Sequence, residues 1–231
     1  MSTPTPIVAP PSASGGGRGW RGGKSPPDIS ALTQYNPNRA GAVEAIWQPF
    51  YDFQVYAQAG TTQMSFFQVQ NGSGGKTYAD TNMTNQGVFP APTMFFCVGI
   101  QVVFEPGGTS SQVGTAAARA LNNLNDTVLV ANSGWLEMSI GSKVYLRDAP
   151  IGKFAPNFTV QFYGMMNGAG NTGSGDAQYA RAAGRYYDIT PFTIPTQQNF
   201  LVTLNWPTVQ AVSVAGRIGV ILDGFYYRQS Q

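Results

Sequence analysis

Eleven carboxylates stand singly along the 231-residue chain, at Asp28, Glu44, Asp52, Asp80, Glu105, Asp126, Glu137, Asp148, Asp176, Asp188 and Asp223. Paired carboxylates are the route to acid–base hydrolysis that needs no other kind of side chain, and nothing in this spacing marks a pair. Asp148 beside Arg147, and Asp188 near Arg181 and Arg185, read as solvated ion pairs or turn residues. Histidine is absent, which removes the commonest general base, the commonest metal ligand and every Ser-His or Cys-His nucleophile arrangement together. The single cysteine, Cys97, lies in the apolar run Met94–Phe104 and reads as a small buried hydrophobe. One chain can build neither an intrachain disulfide nor a cysteine metal site from it. No catalytic residue, cofactor site, metal site or small-molecule substrate is assigned.

Two glycine-rich stretches invite a phosphate or nucleic-acid reading. Asn167–Gly175 (NGAGNTGSG) lacks the Gly-Lys-Ser/Thr of a phosphate-binding loop and does not open an apolar helix, so it reads as a long surface loop. Gly15–Gly23 (GGGRGWRGG) resembles RGG-type segments, in which arginines meet phosphates and an aromatic ring stacks on bases. Its cations, Arg18, Arg21 and Lys24, are few for a term that grows with each phosphate neutralised. The leading reading of residues 1–27 is therefore an arm that grips a neighbouring subunit through Ile7, Val8 and Trp20, flanked by those cations, with nucleic-acid contact as the alternative. Outside the arm, Arg181, Arg185, Tyr186 and Tyr187 form the most interface-like cluster, because Tyr and Arg are enriched where proteins meet.

The elements that must position these residues follow from composition and pattern. Charged residues are 10% of the chain, against about 25% in an average globular protein. A surface so poor in charge is weakly protected against association, and the chain is expected to work inside an assembly of its own copies. The net charge of +2 is uneven: residues 1–27 carry three cations and no acid, and the remainder is nearly balanced. No apolar run approaches the roughly 18 residues of a membrane span, so no membrane partner is expected. The N-terminus lacks the basic and apolar regions of a secretory signal, so the sequons at Asn71, Asn82, Asn125 and Asn157 read as chance.

Residues 1–45 are predicted to be an extended, Pro/Gly-rich arm and connection, and 46–231 a single sandwich domain. Phe200, Val202, Leu204 and Trp206 alternate with Leu201, Thr203 and Asn205, the period that puts one set of side chains on each face of a sheet. Arg217–Tyr227 is dense in β-branched and aromatic residues, with Asp223-Gly224 marking a bulge. Further strands are predicted near Trp47–Ala57, Gln63–Gln70, Met94–Glu105, Thr127–Ala131, Trp135–Ile140, Lys143–Arg147 and Phe158–Tyr163, and one helix over Gln112–Asn125. Short strands, long glycine-rich connections and a single inserted helix predict an all-β, jelly-roll-like antiparallel sandwich. An immunoglobulin-like sandwich is the second choice. The aromatic residues Tyr163, Tyr179, Tyr186, Tyr187, Tyr226 and Tyr227, with Trp47, Trp135 and Trp206, read first as core or subunit contact and second as a sugar-stacking platform.

A Pro/Gly-rich arm, a charge-poor sandwich and a strand at the extreme C-terminus together resemble virion structural proteins: the jelly-roll capsid, cement and decoration proteins of bacteriophages and other icosahedral viruses. The stretch NFLVTLNWP…AGRIGVILDGFYYR also looks like a segment of tailed-phage structural proteins. The resemblance covers the whole chain in architecture and Asn199–Arg228 in motif. It implies a non-enzymatic protein of the virion, made in the host cytoplasm. Its partners would be its own copies and other capsid proteins, joined through the arm and through edge contacts. A carbohydrate- or receptor-binding module of a virion is the alternative.

Overall fold

A computed structural model describes residues 43–107, 120–156, 159–164, 175–180 and 187–229. Their elements run β1 (Val43–Trp47), β2 (Phe50–Tyr56), β3 (Gln63–Phe66), β4 (Met94–Glu105), α1 (Ala120–Ser133), β5 (Trp135–Ile140), β6 (Lys143–Pro150), a 3-10 turn (Ile151–Phe154), β7 (Thr159–Gly164), β8 (Gly175–Ala180), β9 (Tyr187–Ile194), β10 (Phe200–Asn205) and β11 (Gly216–Gln229). Every ladder is antiparallel. One sheet has the order β1–β11–β4–β9, with β2 also on β11; the other has the order β3–β10–β5–β6. The hairpin β7–β8 forms a ladder of its own.

Alternation decides which face each strand buries. In β11, Ile218, Val220 and Leu222 point inward and are fully buried; in β10, Phe200, Val202 and Leu204 meet them from the opposite sheet. Aromatic rings fill the space between. Phe89 stacks on Phe200 at 5.4 Å, while Phe50 meets Phe89 and Phe95 edge-on. Trp206 packs edge-on against Tyr56 and donates its indole N–H to the carbonyl of Val130 near the C-terminal end of α1. The helix is thereby fixed to the sandwich, and Gly134 follows it because a Cβ there would collide with that indole. The described fold is thus an all-β sandwich of two antiparallel sheets with one helix.

The long strand β11 has one edge shared between two partners: β1 pairs with Phe225–Gln229 and β2 with Gly216–Leu222. Gln48 and Pro49 separate the two, close to the bulge at Asp223/Gly224. β1 therefore lies across the expected domain boundary at Ile46. The open sides of the sandwich are stitched by side chains. On one side the Gln54 amide of β2 donates to the carbonyl of Ser65 in β3, and on the other Tyr145 of β6 packs on Phe192 of β9.

Besides the expected strand Trp47–Ala57, which Gln48-Pro49 divides between the end of β1 and β2, three local expectations differ from what is observed. Thr127–Ala131 is the C-terminal part of α1 rather than a strand. The apolar run TVLVA is short enough to suit either element, and helical geometry turns Asp126 and Val130, four residues apart, to the buried side while leaving Val128 and Leu129 exposed. Of the predicted helix over Gln112–Asn125, residues 112–119 lie outside the described residues, and α1 extends well beyond Asn125. β8 and β9 were not anticipated: Gly175–Ala180 has little hydrophobic pattern, and Pro191 interrupts Tyr187–Ile194. β9 tolerates that proline because it is an edge strand whose register against β4 shifts between Cys97 and Gly99. No described helix is long and apolar enough to cross a membrane.

Candidate functional site

The residues expected to contact other subunits are placed first. Ile7, Val8, Arg18, Trp20, Arg21 and Lys24 lie outside the described residues, as do Arg181, Arg185 and Tyr186. Tyr187 opens β9, with its backbone opposite Ile100 of β4. Of the glycine loop, only Gly175 is described, as the first residue of β8. Trp206 and Tyr227 are buried and Tyr226 packs on Phe50, whereas Trp47 is partly exposed against Phe225. Cys97 is buried, its thiol donates to the carbonyl of Gly99, and burial pushes its ionisation far above the usual range. Among the described residues, Arg147 and Asp148 form no ion pair with each other.

The densest set of charged groups was not visible in the sequence. It gathers where β2 meets the segment 70–83. On the core side of β2, Asp52 stands in the same row as Val220 and Val102 and has no exposed surface. Its Oδ2 accepts the N–H of Phe67 at 2.6 Å and lies 3.5 Å from the Gln54 amide nitrogen. Its Oδ1 is in direct contact with Lys76 Nζ. Burial holds this carboxyl above the usual carboxylate range, against the opposing pull of Lys76, Phe67 and Gln54. A carboxyl with no surface can act only on the groups it already touches.

On the outer side of the same strand, the Phe53 ring lies over Gly219, and the Arg217 guanidinium sits 4.2 Å from the ring centroid. Arg217 donates to the carbonyl of Ala79, to Asp80 at 3.3 Å and to Glu105 at 3.4 Å. Burial tends to raise the Asp80 carboxyl, but the Thr77 N–H, the Thr77 hydroxyl and Arg217 outweigh it and hold the group below the ordinary range.

These contacts pin the segment 70–83 to the sandwich. Asn82 accepts the Tyr51 N–H at 3.0 Å and donates to the carbonyl of Pro49 at 2.8 Å; the Thr81 hydroxyl donates to the carbonyl of Tyr51, and the Phe53 N–H to that of Asp80. Tyr51 in turn donates its hydroxyl to the carbonyl of Tyr78. The Tyr78 side chain itself is 69% exposed. A rigid backbone presenting an aromatic side chain is suited to recognition, because little ordering remains to be done on binding.

Two further features lie apart from this cluster. Edge strand β6 exposes Val144 and Tyr145. Asp223, on β11, is buried with the Gln101 amide nitrogen at 2.5 Å, and burial raises its carboxyl to about 6. Among the described residues no group of three or more Cys, Asp or Glu could hold a metal ion. No family model, curated protein or solved structure matches the chain.

Proposed function

We propose that the chain is a jelly-roll structural protein of a virus particle. It would work without catalysis, as a homo-oligomer in or on the capsid shell, either as a capsid subunit or as a cement or decoration protein. One observation carries the reading. Counting β2–β6 and β9–β11 as eight consecutive strands, one sheet takes the first, eighth, third and sixth, and the other takes the second, seventh, fourth and fifth. Such an interleaved order supports a double Greek key, in which a folded ribbon of paired strands wraps into two sheets. Because a fold alone does not assign a function, the reading also leans on the low charge of the chain and on the apolar side chains exposed along β6. In this scheme the body is a rigid block and residues 1–27 join neighbouring blocks, their ordering offset by contacts of Ile7, Val8 and Trp20. Many weak contacts per subunit suffice to hold a shell. Electron microscopy and light scattering of the purified chain over a range of concentrations test the proposal. Shells or discrete oligomers are the expected result, and a monomer that neither self-associates nor attaches to capsids would overturn it.

Tyr78 favours one alternative, a carbohydrate- or receptor-binding module of a virion, in which the ring stacks on a sugar face. Clear glycan affinity on an array, shown by a monomeric and non-assembling protein, would select it.

A further inference from the structure

Lys76 Nζ and Asp52 Oδ1 are in contact, with the carboxylate fully buried and the lysine side chain 14% exposed. The two carboxylate oxygens have different surroundings. Oδ2 is held by the Phe67 N–H at 2.6 Å and lies 3.5 Å from the Gln54 amide nitrogen; Oδ1 faces the lysine. Donors on one carbonyl oxygen are the arrangement that stabilises the oxyanion of acyl transfer, and the other oxygen is positioned to leave. The Phe67 that supplies the shorter bond is itself fully buried. Burial of the Asp52 carboxyl favours its protonated form, against the opposing pull of Lys76.

We propose that Lys76 and Asp52 condense, so that Nζ and Cγ form an amide that ties the 70–83 segment covalently to β2. One ammonium proton first passes to Oδ1, leaving an amine beside a carboxylic acid. The amine lone pair attacks Cγ, and the charge that develops on Oδ2 is met by the Phe67 N–H and the Gln54 amide. A second nitrogen proton then passes to the Oδ1 hydroxyl, the Cγ–Oδ1 bond breaks, and one water leaves. No oxidant, reductant or cofactor is needed. The contact of Nζ with Oδ1 holds the amine beside the carboxyl and replaces a bimolecular encounter by an intramolecular one. Because Asp52 also holds Phe67, just beyond the end of β3, the cross-link fixes the corner where the two sheets approach. The proposal stands on this geometry and is independent of the virion reading.

Intact-mass spectrometry of the folded full-length chain, followed by peptide mapping, tests it. The expected result is a mass lower by one water and a branched peptide joining positions 52 and 76, with the water retained in Lys76→Arg. A folded wild-type chain that keeps its full sequence mass after prolonged incubation would overturn the proposal. So would a water loss that persists in Lys76→Arg or maps to Asp223-Gly224, where an aspartate can cyclise onto the following amide.

Discussion

The Phe53 ring rests on Gly219, and the missing side chain is what allows the contact: a Cβ built at Gly219 would come within 2.2 Å of the ring's Cδ1. The two residues face each other across the β2–β11 ladder, and the ring carries the Arg217 guanidinium on it. Gly219→Ala is therefore expected to displace the ring and the cation together. The loss should be about 1–3 kcal/mol, typical of overpacking, read as a lower urea midpoint with an unchanged slope.

Arg217 should not be replaceable by lysine. Its planar fork reaches Ala79, Asp80 and Glu105 while lying over an aromatic ring, a combination an ammonium cannot reproduce. Arg217→Lys is expected to cost about 1–2 kcal/mol, from the lost stacking and from an unsatisfied carbonyl. A Lys variant as stable as wild type in chemical denaturation would contradict this.

Stability should fall as pH rises through the range set by Asp223. Burial moves its carboxyl from 3.8 to about 6, so the folded chain binds more protons than the unfolded chain between those values. The slope of unfolding free energy against pH is therefore negative there. Full ionisation removes about 3 kcal/mol relative to the protonated state. Asp223→Asn should flatten most of this slope in thermal unfolding measured at about pH 4 and about pH 7. An uncondensed Asp52 adds a slope of the same sign, because burial raises it too. Asp80 is held below its ordinary range, so its contribution is present above 3.8 and fades as pH falls through its lower folded value.

Tyr78 should separate binding from folding. Its ring is mostly exposed, so Tyr78→Ala is expected to change stability by no more than about 0.5 kcal/mol. If the pinned segment recognises a receptor, glycan or neighbouring subunit, the same variant should lose most of that affinity. Unaltered attachment would remove Tyr78 from the interaction.

Deleting residues 2–27 should leave unfolding of the sandwich unchanged and lower the temperature at which particles come apart. Particles of unaltered stability would exclude the arm from assembly. If the arm instead holds nucleic acid, affinity should drop with salt at a log–log slope of roughly −2 to −3, as for three neutralised phosphates.

Strands whose side chains alternate, or run continuously apolar, were legible in the sequence. Met94–Glu105 and Trp135–Ile140 have the predicted ends, and Phe200–Asn205 and Gly216–Gln229 are close to theirs, because their periodicity is itself the physics of burial. Thr127–Ala131 suits a strand as well as a helix because a five-residue run with four apolar side chains does not choose between periods of two and 3.6. The charged cluster was illegible for a different reason. Its pairs join Arg217 to residues 137 and 112 positions away, and Asp52 to a lysine 24 positions away, and only the strand order brings them together. Adjacency suggested Arg147 with Asp148, a pair the described residues do not form.

The edge that β11 shares between β1 and β2 divides at Gln48-Pro49 into two separately zipped ladders. Peeling β1 away would break the pairings from Val43↔Gln229 to Trp47↔Phe225 and leave those of β2 intact. The longest strand of the fold is thus closed along one edge by two independent zippers, so the C-terminal end of β11 could fray without loosening the half that packs against the core.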